Sequence, residues 1–532
     1  RNIIDTRTTA NRNSALISTA TGGGSITLGG GTASTTLASG TVVPTGYAAD
    51  NTSSVPGGVT LGYFNAGHDS GLKFYSGGGD ITLRGKSTTI WNGDTSGIAA
   101  LEGLNMDAGT TGNITFDGVG GPSGSTYTSG IFLGYWGSSG NATSLLKTGN
   151  GNISLTGVGT GGTNNRGIIF CCTASKPITL ESTGSGTVSL TGSGSTYDFI
   201  FSGANNILAA SGAITLTGTT SGGPLKADTA VTTLGYKAGT DVTNSTSNIT
   251  ITDDSMSLSA GNGLQVNTKG KLTIQPYGNN FTALTYPITD FAVSTDVTGL
   301  TIGKDLGTTA HTDTVTLSGT TSIAGPINIY AGTINVNANL SSTQPNAQIL
   351  LKASGDIALA SGVDITTSGG KQVFWADSDI SGAGSITSFN SSANYGLLTT
   401  NGGDIVMGGG AGVASPTGAA NGQYGVNLSY ATLNAGTGDI TMSGISSSTV
   451  DYGIGLRFFS GTSLAGRNIT LTGTGAPNTA AKVGNWGIGL EGVSITGSGI
   501  LTLTGTGGGS GSTGNNNHGV LVYNSTITGT GS

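Results

Sequence analysis

The sequence predicts an all-β chain wound as a three-sided parallel β-helix (β-solenoid). Three observations carry that prediction. One short phrase, Ile-Thr-Leu-Thr-Gly or a near variant, recurs for hundreds of residues. Apolar and hydroxyl residues alternate inside it. Three distinct strand phrases also follow one another in fixed order, with a period near thirty residues.

The phrase reads "RNITLTGTG" at 467–475, "GNISLTGVG" from Gly151, "GTVSLTGSG" from Gly186, "GAITLTGTT" from Gly212, "GDITMSGIS" from Gly438 and "GILTLTGTG" from Gly499. In the first copy Ile469 and Leu471 alternate with Thr470 and Thr472. Period two gives a strand with one apolar face and one hydroxyl face. Gly473 is expected to end the strand by entering a turn. A strand this short buries little alone, and stacking many copies solves that problem.

The last third shows the order best. The first strand type begins at Ile440, Ile469 and Leu501, at spacings of 29 and 32 residues. The second begins at Gly453 ("GIGLRF"), Gly487 ("GIGLEG") and Gly519 ("GVLVYN"), at spacings of 34 and 32. The third ends at Leu464, Ile495 and Ile527. Earlier, "NITF" at Asn113 precedes "GIFLGY" at Gly130, and "NISL" at Asn152 precedes "GIIFCC" at Gly167. Their longer spacing reflects inserted loops such as "GVGTGGTNN". Equivalent strands are then parallel neighbours, with Ile114, Ile153, Ile440, Ile469 and Leu501 inward. Leu133, Phe170, Leu456, Leu490 and Val522 are expected to share one interior slot. Roughly twenty coils at ~4.8 Å each give a rod on the order of 90–100 Å.

The residue before the first strand is Asp80, Asp404 or Asp439 in some copies and Asn113, Asn152, Asn248 or Asn468 in others. Asn and Asp exchange freely where a turn needs a side-chain acceptor. They do not exchange where chemistry needs a carboxylate. A turn role is expected.

Composition agrees. The 98 glycines and 11 prolines make about a fifth of 532 residues, and only 8% of residues are charged. A disordered chain is usually charged and poor in β-branched residues, unlike this one with its mean hydropathy of +0.06. Gly, Ser, Thr and Asn form helices poorly. No apolar run reaches the roughly 18 residues of a membrane helix. A net charge of −7 without a Lys/Arg cluster leaves nucleic-acid binding no electrostatic footprint. The chain opens "RNIIDTRTTA" and stops at "TITGTGS", inside the repeat language, and is read as an excerpt of a longer protein. Residues 1–532 are expected to form one continuous repeat region, most regular over about 430–532. The adjacent Cys171 and Cys172 would point to opposite faces of a strand, which favours two thiols over a vicinal disulfide.

Residues 326–385 carry a more specific signal: "GTINVNANLSS", "ILLKASGDIAL" and "VFWADSDISGAGSI", continued by "GGDIVMGGG" at 402–410. Over roughly 315–445 this resembles the repeat region of large secreted exoproteins related to filamentous haemagglutinin. The resemblance implies a right-handed parallel β-helix, secreted across a bacterial outer membrane and often adhesive. A secretion domain and a translocator barrel are not found in this segment. Two-partner secretion and autotransport both stay open, with any outer-membrane partner outside the segment.

The function so implied is a structural or adhesive extracellular shaft on a bacterial surface or fibre. Host cells, neighbouring cells, glycans or further copies of itself are its candidate partners. Aromatics on inserted loops are the candidate contacts: Trp91, Trp136, Trp375, Trp486, Tyr135 and Tyr452. The competing role for each is an aromatic that caps a coil. A polysaccharide lyase or hydrolase is the alternative, since paired carboxylates could serve as acid and base. Its candidates are Asp253 with Asp254 and Asp377 with Asp379. His68, His311 and His518 are widely separated, which speaks against a triad or a zinc site. No cofactor is expected. A minor alternative, ice binding, rests on Thr-x-Thr pairs at Thr215/Thr217, Thr470/Thr472 and Thr502/Thr504, which drift to Thr82/Arg84 elsewhere.

Overall fold

The alternating phrase folds as a strand wherever it is described. In a computed structural model of the chain, Ile153–Gly159, Val188–Ser193, Ile440–Ser446 and Ile469–Thr474 are all extended, with apolar residues in and hydroxyls out. The structure describes residues 3–4, 16–19, 21, 23–36, 42–49, 57–62, 72–90, 94–101, 103–122, 124–134, 143–171, 176–220, 222–388, 391–412, 415–447, 451–476, 483–508 and 516–529. Among these there is no helix.

The chain divides into two units, Arg1–Gly278 with Thr289–Val297, and Asn279–Ile288 with Thr298–Ser532. Each is a parallel β-helix of three sheets. In the first unit one coil is Ile114–Gly120, Tyr127–Gly134 and Ser144–Thr148. The next is Ile153–Gly159, Asn164–Cys171 and Ile178–Ser182. Each strand pairs in parallel with its equivalent one coil on. In the second unit Ile440–Ser446, Ile454–Phe459 and Ser463–Gly466 are followed by Ile469–Thr474, Ile488–Glu491 and Ser494–Gly497. Those pair in the same way. The one antiparallel strand pair among the described residues is an inserted hairpin, Gly30–Thr36 with Val42–Gly46.

Like stacks on like inside. Ile114, Ile153, Val188, Ile214, Ile249 and Leu272 form one column, and Ile440, Ile469 and Leu501 another. All but Leu501 are fully buried. Leu501 is half-buried because no described coil covers it. Each buried side chain of this size contributes roughly 1.5–3 kcal/mol. An aromatic stack adds to this in the first unit, where Phe170 and Phe201 lie 5.3 Å apart and Phe199 and Phe201 5.7 Å apart. There the second sheet is apolar on both faces: Ala99, Phe132, Ile169 and Ile200 point away from the Leu133–Phe170 column yet are buried. A near-continuous apolar run such as "GIIF" is what a strand buried on both faces requires.

Two expectations about turns are corrected. Gly473 does not end its strand, which runs on to Thr474. It lies opposite Gly487, at the corner between the first and second sheets. A Cβ on Gly473 would fall on the Gly487 carbonyl, and one on Gly157 would fall on that of Gly167. The corner glycines are therefore a requirement of space. They also set the register. Gly487 donates to the His518 carbonyl and Gly455 to that of Trp486, so Leu456 stacks on Ile488 while Leu490 stacks between Phe458 and Val522. Matching the phrase "GIGL" by letters placed Leu456 and Leu490 in one slot and was two residues out.

The Asn/Asp position is likewise not a turn. Its side-chain Oδ1 accepts the backbone N–H of the equivalent residue on the next coil. Asn113 N–H donates to Asp80 at 2.9 Å, Asn152 to Asn113 at 2.8 Å and Thr187 to Asn152 at 2.9 Å. Asp439 donates to Asp404 at 3.0 Å, Asn468 to Asp439 at 3.0 Å and Ile500 to Asn468 at 2.9 Å. Asn and Asp interchange because both carry that oxygen. Buried hydroxyls tie coils together at another corner: Thr148 Oγ1 donates to Gly112 O at 2.7 Å and Ser182 Oγ to Gly149 O at 3.1 Å.

Candidate functional site

The outward faces offer three kinds of feature: exposed aromatics, a covered polar cluster, and carboxylates at the coil corners.

Tyr452 precedes the second strand of its coil and is 53% exposed. Its ring lies against Gly484, one coil on. Its φ of 61° is left-handed, a cost of about 1 kcal/mol or more for a bulky residue. Trp486 is half-buried, and its indole N–H donates to the Asn516 carbonyl at 2.6 Å. Sequence reasoning missed a second pair. Tyr395 and Tyr430 occupy the same place on neighbouring coils, with rings edge-on at 5.5 Å. Tyr395 is 47% exposed, and Tyr430 is also left-handed, at φ 48°. Their separation by one coil period was the available signal. Trp91, Trp136 and Tyr135 lie outside the described residues.

Trp375, expected on an exposed loop, is 3% exposed. It points outward from the first sheet of the second unit, but two insertions cover it. Its indole N–H donates to Gly410 O at 2.7 Å, and Leu350 and Val373 pack beside it. Lys352 sits 4.6 Å over its ring and pairs with Asp305 at 2.7 Å. Burial pushes the Asp305 carboxyl up, but Lys352 and the Gly307 N–H outweigh it and hold it low. Nearby His311 Nδ1 lies 3.7 Å from Asp313 Oδ1, and burial lowers the imidazole's pKa despite that neighbour. Asp313 in turn accepts from Phe281 N–H and Gly332 N–H. The cluster pins the inserted segment after Ile302 to the sheet. His518 is exposed and stands apart, and His68 lies outside the described residues.

The carboxylates proposed for catalysis are engaged elsewhere. Asp377 Oδ1 accepts from Gly382 N–H at 3.0 Å, Ala383 N–H at 3.3 Å and Ser381 Oγ at 3.2 Å. Asp379 accepts from Ser381 N–H at 3.4 Å. Asp254 accepts from Tyr277 N–H at 2.8 Å, and is not the partner of Asp253. Asp253 instead faces Asp198, across Gly218. Both are shut from solvent, at 2% and 1% exposure. Burial raises Asp253 to about 8, with the charges of Asp198 and Asp254 adding to it. Burial raises Asp198 to about 6 against N–H donors at Thr220 and Gly194. No saccharide reaches this pair.

Hydroxyl columns do form. Thr156, Thr191, Thr217 and Thr252 stack in register, but Thr252 is buried and accepts from Gln275 Nε2 at 3.0 Å. Asp117 and Arg84 continue the column on the other side. A flat regular lattice for ice does not extend along this face.

Cys171 is disulfide-bonded, which corrects the expectation of two thiols. The other cysteine of the chain, Cys172, lies outside the described residues. Among the described residues no three His, Cys, Asp or Glu side chains gather as a metal centre. No known protein family, curated protein or solved structure matches the chain.

Proposed function

We propose that the chain is a non-catalytic, structural or adhesive β-helical shaft, secreted and held at a bacterial surface or in a fibre. The observation that carries the adhesive part is the pair of exposed tyrosines in the second unit, Tyr395 at 47% and Tyr452 at 53% exposure, with Tyr430 packed edge-on against the first. The left-handed backbone of Tyr430 and Tyr452 belongs to the coil corners, since Gly461 and Gly484 hold it one coil on, and what distinguishes the tyrosines is the ring each presents there. An exposed ring with a hydroxyl tip suits a glycan, whose apolar face stacks on the ring while its hydroxyls bond the edge. The structural part rests on the coil-to-coil ladders of Asn, Asp, Ser and Thr. The resemblance of residues 315–445 to haemagglutinin-like exoproteins supports the surface location.

Binding of the purified chain to immobilised glycans and to bacterial and animal cells tests this reading. Retained binding is expected for Thr470→Ser, and at least about tenfold loss for Tyr395→Ala combined with Tyr452→Ala. Turnover of acidic or neutral polysaccharides, abolished by Asp377→Asn or Asp254→Asn, would overturn it in favour of an enzyme.

A further inference from the structure

The outer face of the second sheet in the second unit gathers aromatic rings around one arginine. In the strand Ile454–Phe459 the apolar Leu456 and Phe458 are fully buried, while Arg457 and Phe459 are half-buried on the opposite face. The Arg457 guanidinium lies 4.8 Å from the centre of the Phe459 ring and 5.2 Å from that of Tyr424, on the preceding coil. On the following coil its register partner is Gly489. There the Trp486 ring takes the place of the missing side chain, 2.8 Å from where a Cβ would stand. The face continues to the exposed tyrosines. Its strand begins two residues after Tyr452 and ends two before Gly461, against which the Tyr395 hydroxyl lies. The strand alone spans about 17 Å, room for a run of sugar rings.

The Arg457 guanidinium has no protein partner. Among the described residues it makes no ion pair and no hydrogen bond. Asn427, beside it on the preceding coil, keeps an unpaired Oδ1, whereas no nitrogen of Arg457 is both buried and unpaired, so its donors face solvent. Arg467 and Arg84 differ, being engaged by Asp439 and by the Thr45 carbonyl. Glu491 stands diagonally on the following coil, opposite Phe459, without pairing to Arg457. Two rings thus hold a guanidinium fork in place with its donors open. Such a fork matches a planar carboxylate through two parallel hydrogen bonds. The rings beside it suit the apolar face of a sugar. We infer that this face binds a polyuronate, with Arg457 taking a carboxylate while Phe459 and Trp486 stack on pyranose rings; the inference rests on the glycan-binding reading above. Glu491 opposes the next carboxylate along the polymer.

Titration of the full protein with polygalacturonate and with its fully methyl-esterified form tests the site. EDTA and 0.15 M salt are present, so that the net charge of −7 is largely screened. The native protein is expected to bind the acid form at least about tenfold more tightly than the ester. Arg457→Asn, which repeats the residue of the preceding coil, should fold and abolish that preference while leaving ester binding within about twofold. Glu491→Gln should tighten the acid form by about twofold and leave the ester unchanged. Equal binding of acid and ester by the native protein, or equal loss of both in Arg457→Asn, overturns the inference. If both forms then still fall away in the Tyr395→Ala, Tyr452→Ala double variant, the adhesive reading stands without it. Binding of neither form also overturns the inference, whereas the adhesive reading is decided separately on neutral glycans and cells.

Discussion

The corner between first and second sheets is built in both units, and the two versions differ. In the second unit Gly444 faces Gly455, Gly473 faces Gly487 and Gly505 faces Gly519, without exception over those three coils. In the first unit the same rule holds at Gly118 and Gly157 and then breaks at Asp198 and Asp253. The charge ladders differ in the opposite sense. Asp439 in the second unit lies at the surface, bonded to Arg467 through two 2.9 Å contacts that hold its carboxyl down at about 2. Asp198 and Asp253 in the first are buried and pushed up. The repeat therefore keeps the corner glycine in the coils named and gives it up only at Asp198 and Asp253 in the first unit. It leaves chemistry free only where the geometry provides a neighbour for it.

The largest effect should come from the core. Leu490 is fully buried between Phe458 and Val522, and Leu490→Asp should cost about 5 kcal/mol by placing an unpaired charge there. Chemical denaturation followed by circular dichroism would measure it. Gly157→Ala comes next, at about 3 kcal/mol, because its methyl collides with the Gly167 carbonyl of a corner that cannot open without breaking ladder bonds. The same methyl at Gly222, where nothing lies within 4 Å, should cost less, since only its positive φ resists.

Acidity should separate the units. Asp253 keeps its proton in the folded state up to about 8, whereas an unfolded aspartate loses it near ~3.9. Between those values the folded state binds more protons, so the first unit loses stability as pH rises through that window. The Asp439 contribution runs the other way. It is present above ~3.9 and is lost as pH falls toward about 2. Melting curves with a probe in each unit, at several pH values, should show these opposite slopes. The smallest effect lies in the ladder: Asn152→Asp should change stability by less than ~0.5 kcal/mol, while Asn152→Ala should cost about 1 kcal/mol by orphaning the Thr187 N–H. Equal losses from both would show that the ladder depends on more than its shared oxygen.

Much of the fold was legible because strand alternation and coil period are local properties. Ile114, Ile153, Ile440 and Ile469 could be assigned to the interior from their hydroxyl neighbours alone. The register of the second sheet was not legible from phrases. It depends on which glycine meets which corner, and "GIGL" offers two. The role of Asn113 and Asp439 was hidden for a related reason, since their partners lie a whole coil away. Trp375 looked exposed because its covering segments are insertions whose path no periodicity describes. Asp198 left a trace that was not used: it stands in "YDFIF" where the preceding coil has "RGIIF".

Parallel stacking of coils in one register is the central claim, and cysteine pairing tests it most directly. In a chain with Cys171 and Cys172 replaced by serine, Ser443→Cys with Thr472→Cys joins two residues paired across neighbouring coils. Their Cα atoms should lie ~4.8 Å apart, within disulfide range. Ser443→Cys with Thr470→Cys lies on the same face but one pair out of register, beyond ~7 Å. Mild oxidation is predicted to close the first pair rapidly within the monomer and to leave the second open. Preferential closure of the second pair, or of neither, would contradict the stacking on which the whole account depends.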